Sequence, residues 1–115
     1  MKNPELEKTI NELKIAGKKT GHAYFTALSE GLDKAKRARV AVNLSAINRL
    51  TEEGEVAVIP GKVLASGKLN HPVTVAAFDF STAALEKIKA AGGETKNLNQ
   101  LIKDPPESSK VKLLK

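Results

Sequence analysis

Four cations stand within six residues at Lys34, Lys36, Arg37 and Arg39, and no acid lies between Asp33 and Glu52, a window that Arg49 completes. A run of this kind can neutralise several phosphates, and each neutralised phosphate releases condensed counterions, which makes affinity salt-dependent. Arginine adds a planar fork of donors suited to phosphate and to stacking on bases. Two more acid-free windows carry Lys14, Lys18 and Lys19 before Glu30, and Lys62 and Lys68 before Asp79. The three windows hold ten cations against a net charge of +6, so the rest of the chain is net acidic. A face shaped only for solubility would mix the signs. Lys18, Lys19, Lys34, Lys36, Arg37, Arg39, Arg49, Lys62 and Lys68 are therefore the candidate phosphate contacts, and the three windows are expected to extend one face.

Charge alone would equally suit nucleic acid or an anionic membrane surface. RNA is favoured over DNA because no recognition helix or zinc finger is legible. Base-stacking platforms are scarce, since aromatics make up 3% of the chain. Tyr24 and Phe25 fall on an expected helix, and Phe78 and Phe80 share one face of an expected strand. All of them are better read as core, because few other large side chains are available to fill an interior. Binding should then rest on phosphate and shape.

Other chemistries find little support. Gly61 to Lys68 superficially resembles a phosphate-binding P-loop, but five residues separate Gly61 from Gly67, and Leu69 stands where Ser or Thr should ligate magnesium. A tight turn presenting Lys62, Lys68 and backbone N–H groups remains a reasonable phosphate contact. His22 and His71 are far apart and lack metal-motif neighbours. Ser45, Ser66 and Ser81 lack a nucleophile-elbow context, and no carboxylate pair is placed for acid–base work. With no cysteine, disulfides and thiolate sites are excluded. The expectation is a protein without enzymatic activity, cofactor, metal or small-molecule substrate. The N-terminal residues do not read as a secretory signal, and no run approaches the ~20 apolar residues of a membrane span. A soluble, cytoplasmic protein with no membrane partner is expected.

The elements that must position these residues read as α/β. Its 115 residues suit a single domain, 1–115, with N-terminal helices and a basic arm to about residue 50 and a β-β-α core from about 51. Asn3 as N-cap and Pro4 in the first turn start a helix that Gly17 can end. A second helix follows from about His22 to Leu32. Lys34 to Asn43 has no helical stripe and reads as a short strand or extended arm. Ser45 is a plausible N-cap for a helix carrying Ile47 and Leu50. Val56 to Ile59 is a strand halted by Pro60-Gly61, and Lys62 to Ala65 is a second. Val73 to Phe80 is the strongest strand. Ser81 caps a helix with Ala84, Leu85, Ile88 and Ala91 on one face, which Gly92-Gly93 ends. A short helix at Leu98 to Lys103 precedes Pro105-Pro106, and Val111 to Leu113 alternates like an edge strand.

Three segments in order are similar to a known family: Arg39-Val-Ala-Val-Asn43-Leu-Ser45-Ala-Ile47-Asn48, Val58-Ile-Pro60-Gly61-Lys62-Val-Leu-Ala-Ser-Gly67-Lys-Leu69, and His71-Pro72-Val-Thr-Val-Ala-Ala77-Phe-Asp-Phe80-Ser81. Together they resemble the archaeal and eukaryotic large-subunit ribosomal protein L-eighteen-e family, related to bacterial L-fifteen, over roughly residues 4 to 115. The short length resembles the archaeal members. The resemblance implies an irregular superhelix of β-β-α turns, a structural place in translation's large ribosomal subunit, and contact with ribosomal RNA and neighbouring ribosomal proteins. By position, the family's basic arm corresponds to Lys34–Arg39 with its junction at Asn43 and Ser45, and its Pro-Gly-Lys turn to Pro60, Gly61 and Lys62. Two departures stand out. Ala65 occupies a position where the family commonly has glycine, and Lys34-Ala35-Lys36-Arg37 lacks the family's frequent proline. An RNA-binding protein or assembly factor acting away from mature ribosomes is the alternative that the basic stretch alone would equally permit.

Overall fold

The computed structural model describes residues 4–34 and 41–114. Five helices and five strands run in the order α1 (Pro4–Thr20), α2 (Ala23–Lys34), β1 (Ala41–Asn43), α3 (Leu44–Leu50), β2 (Val56–Leu64), β3 (Thr74–Phe80), α4 (Thr82–Ala90), β4 (Glu94–Asn97), α5 (Leu98–Lys103) and β5 (Val111–Leu113), with a 3-10 turn at Ser108–Lys110 before β5. The class is the expected α/β, and β2, β3 and α4 supply the β-β-α succession.

Every strand pair is parallel. Such sheets are covered on both faces, which is why β2 and β3 read as near-continuous apolar runs. Alternate residues serve opposite layers. Ala57, Ile59, Val75 and Ala77 pack with Leu44 and Ile47 of α3 and with Ala84 and Ile88 of α4. Val58 and Ala76 face Ile10, Leu13, Phe25, Leu28 and Leu32 of α1 and α2, and Leu98 and Leu101 of α5. Phe25 is the largest fully buried side chain. Tyr24 is also buried and donates its hydroxyl to the Pro106 carbonyl at 2.7 Å. The aromatic residues of α2 thus belong to the core.

The long strand β2 organises both of its sides differently. β3 lies along one side of it, and two short strands share the other side end to end. Val111–Leu113 pair with Val56–Val58, and Ala41–Asn43 pair with Lys62–Leu64. Between those slots lies Pro60-Gly61, which was expected to halt the strand and does not. Proline lacks a donor but is tolerated where ladder pairing is interrupted. Here the β2–β3 register shifts between Ile59 and Lys62, and the strand continues to Leu64. Alternation slips at the same level, so Phe78 packs with the α1–α2 layer and Phe80 with the α3–α4 layer. The two phenylalanines do not share a face.

Three further expectations are corrected. α1 continues through Gly17 to Thr20, and Gly21, at φ +75°, ends it. Gly17 instead allows a close helix crossing: a Cβ there would lie 2.7 Å from Thr26 Oγ1. Gly31 plays the same part in α2, since an added Cβ would meet the Pro60 ring at 2.7 Å. Asn43, not Ser45, is the N-cap of α3. The other caps agree with expectation. Ser81 accepts from the Ala84 amide, and Gly92 turns the chain at φ +85°. β4 was not anticipated. The Asn3 cap lies outside the described residues.

Candidate nucleic-acid interface

Of the basic run, Lys36, Arg37 and Arg39 lie outside the described residues, and Lys34 contributes only its place as the last residue of α2. Both flanks of the run are fixed, however. α2 rests on Pro60 through Gly31, and Ala41 pairs with Lys62. The run therefore leaves and rejoins the fold beside the Pro60-Gly61-Lys62 segment, where the family's turn was located by position. Lys62 faces Asp79 at 4.0 Å, with 43% and 54% of the two side chains exposed. A half-exposed pair at that distance is weak, and it leaves the ammonium available for exchange onto a phosphate.

From Lys62 the chain runs into the Ala65–Pro72 loop, which lies along α3. Three hydrogen bonds stitch the two together. The Ser45 amide donates to the Ser66 carbonyl (3.1 Å), and the Asn70 amide donates to Asn48 Oδ1 (2.8 Å). Thr51 Oγ1 donates to the Ile47 carbonyl (2.6 Å), leaving its oxygen to accept from His71 Nε2 (3.0 Å). The helical partners fall at 45, 48 and 51, a turn apart along one side of α3. Gly67 makes the approach possible. Its φ is +90°, and a Cβ there would sit 2.4 Å from Ser45 Cβ. Ala65 needs no such freedom. No described residue other than glycine has positive φ, and Ala65 packs against the core as an ordinary alanine.

Lys68 is held in the middle of this loop, and Arg49 follows Ser45 by one helical turn; both are exposed. Asn43 caps α3 through its backbone alone, with no side-chain hydrogen bond. Asparagine at this position normally spends its side chain on the helix, and here it does not. Arg49, Lys62, Lys68 and Asn43 are thus gathered around β1, α3 and the loop that follows β2.

Lys18 and Lys19 lie elsewhere. They sit in the last turn of α1, beside the start of α2, whose opposite end touches Pro60. The twelve residues of α2 span about 18 Å at 1.5 Å per residue. Lys19 instead borders a groove with Lys103 of α5, floored by Ile15, Ala16 and Ile102. The three acid-free windows are consequently not one continuous face: two meet at β2, and the third lies at the far end of α2. One cation of the first region was missed. Lys87 of α4 donates to the carbonyls of Ala65 (2.8 Å) and Gly67 (3.3 Å). Among the described residues, no three acidic or histidine side chains come together as a metal site, and no helix is long and apolar enough to cross a membrane. Tyr24 is the one described group with a clear titration shift, its pKa pushed up by burial.

The described residues make an α/β protein whose parallel sheet carries cations and an uncommitted asparagine around one end. Residues 5–96 match the family described as ribosomal proteins 50S-L15, 50S-L18e and 60S-L27A, and the chain belongs to that family. It is 43% identical over 113 residues to the large ribosomal subunit protein eL18 of Haloarcula marismortui, covering 98% of this chain and 97% of that one. It is 39% identical over 112 residues to the protein of that name from Methanothermobacter thermautotrophicus, covering 97% and 93%. The Methanococcus maripaludis protein is 40% identical with the same coverage.

Proposed function

We propose that this chain is a structural constituent of the large ribosomal subunit that holds folded ribosomal RNA through Lys and Arg contacts to phosphate. The observation that carries the reading is the meeting of both flanks of the Lys34–Arg39 run at Pro60–Lys62, beside a braced loop bearing Lys68. The family relationship supports the ribosomal setting, since the relatives are named large ribosomal subunit proteins. In this reading the core is a rigid stand, and Lys34, Lys36, Arg37, Arg39, Asn43, Arg49, Lys62 and Lys68 grip the backbone of one RNA region. Lys18 and Lys19 contact a second region, or a neighbouring protein. The work is architectural and cytoplasmic, with no catalytic step.

Sedimentation tests the setting. Stoichiometric recovery with large subunits at moderate salt is expected, and recovery in light fractions alone would instead fit a non-ribosomal RNA-binding protein or assembly factor. A salt titration tests the mechanism. Phosphate contacts by the five cations of the Lys34–Arg49 window alone predict a slope of log affinity against log salt of about −3.5 to −4.5. A slope near zero would overturn it.

A further inference from the structure

The Ala65–Leu69 turn has an uneven hydrogen-bond account. Its carbonyls at Ala65, Ser66 and Gly67 are all taken inside the protein, the first and third by Lys87 Nζ and the second by the Ser45 amide. Its amides are not. None of the N–H groups of Gly67, Lys68 and Leu69 donates a hydrogen bond among the described residues. Successive backbone amides in a turn can form an anion-binding concavity, and carbonyl oxygens aimed at the anion would oppose it. Here the repelling oxygens have been turned to internal donors. The turn also carries the Lys68 ammonium and the Ser66 hydroxyl, neither of which has a partner among the described residues. A shallow cavity of about 390 Å³ opens between Gly67–Asn70 and Lys87, Ala90 and Ala91.

We infer that Gly67–Leu69 is a phosphate-binding turn and that Lys87 is its positioning residue, holding two carbonyls inward so that amides and Lys68 are what the turn offers. Two of the three Lys87 ammonium donors are spent on these carbonyls, which makes holding the turn its main part. The inference rests on the RNA-binding reading for its natural ligand, a phosphodiester, but not for its test. Gly67 fits the assignment: its φ of +90° and lack of a side chain let the turn lie directly against Ser45.

The test is an amide NMR titration of the isolated full chain with inorganic phosphate at low ionic strength. The wild type should show saturable shifts at Gly67, Lys68 and Leu69. Lys87→Met should weaken that binding at least about threefold and lower the order parameters of Gly67 and Lys68 before any phosphate is added. Lys89→Met is the control, since Lys89 is exposed on the same helix, removes the same charge and makes no bond to the turn. It should weaken binding less than about 1.5-fold and leave the order parameters unchanged. Equal losses in the two variants would reduce Lys87 to a general electrostatic role and overturn the inference. Wild-type shifts that avoid residues 67–69 would also overturn it. Phosphate shifts at the turn in a chain that fails to sediment with large subunits would fault the ribosomal reading and support the turn.

Discussion

The two ends of the parallel sheet are built from the same parts and finished with opposite charge. Where the strands end, Lys68 and Lys87 flank a glycine turn packed hard against α3, and Lys62 lies nearby on β2 facing Asp79. Where they begin, Glu52, Glu53 and Glu94 surround Gly54, Gly92 and Gly93, and Glu55 is drawn to Lys112 of β5 at 3.7 Å. Both ends use glycines of positive φ, yet Gly54 has nothing within 4 Å of an added Cβ while Gly67 has a backbone and a side chain there. Gly54 is therefore a free turn and Gly67 a braced one, while Gly93 at the acidic end is also packed, an added Cβ lying 2.4 Å from the Val73 carbonyl oxygen. The difference teaches that the turn beside Lys68 has its geometry enforced by α3, whereas the turn at Gly54 does not.

Experiments can break this contrast at decreasing depth. Replacing Lys34, Lys36, Arg37 and Arg39 together with glutamine should flatten the salt slope by about 3 and lower RNA affinity about a thousandfold near 0.1 M salt. Glu52→Gln with Glu53→Gln should leave the slope unchanged in the same filter-binding assay. Gly67→Ala should cost about 3 kcal/mol in urea denaturation, adding a collision with Ser45 to an unfavourable φ. Gly54→Ala should cost about 1 kcal/mol, from the backbone alone. Thr51→Val removes the group that ties the end of α3 to both Ile47 and His71, and should cost about 1–2 kcal/mol. The smallest effect is the most discriminating. Lys62→Gln and Lys112→Gln each remove one surface ion pair and should each change stability by under about 0.5 kcal/mol. Only the first should flatten the salt slope, by about 0.7–0.9.

Much of this architecture was legible because local chemistry and tertiary structure agree. The α5 helix falls at Leu98–Lys103 as expected, since Asn97 and Gln100 form a reciprocal capping box ahead of it. Ser81 and Gly92 punctuate α4 in the same way. The misses occur where distant packing decides. β4, Glu-Thr-Lys-Asn, has no apolar residue and is a strand because β3 offers it an edge. Pro60-Gly61 reads as a stop, but its neighbours on both sides keep the strand going. Gly17 and Gly31 read as helix weaknesses and prove to be crossing points. The candidate site divides likewise. Its cations announce themselves by type and spacing, whereas Lys87 is one lysine on a helix whose partners are backbone oxygens about twenty residues earlier. Nor can charge windows reveal that Lys18 and Lys19 lie a helix length from Lys62, because composition carries no direction.

The shared edge of β2 also sets an order in time. The slot beside Lys62–Leu64 is filled by residues made before β2, so it can close as soon as β2 emerges. The slot beside Val56–Val58 waits for Val111–Leu113, the last of the described strands to be synthesised. Until then it presents unpaired backbone, the kind of edge that recruits foreign strands. The half of that edge beside Lys62–Leu64 can thus close first, while the half beside Val56–Val58 is still open.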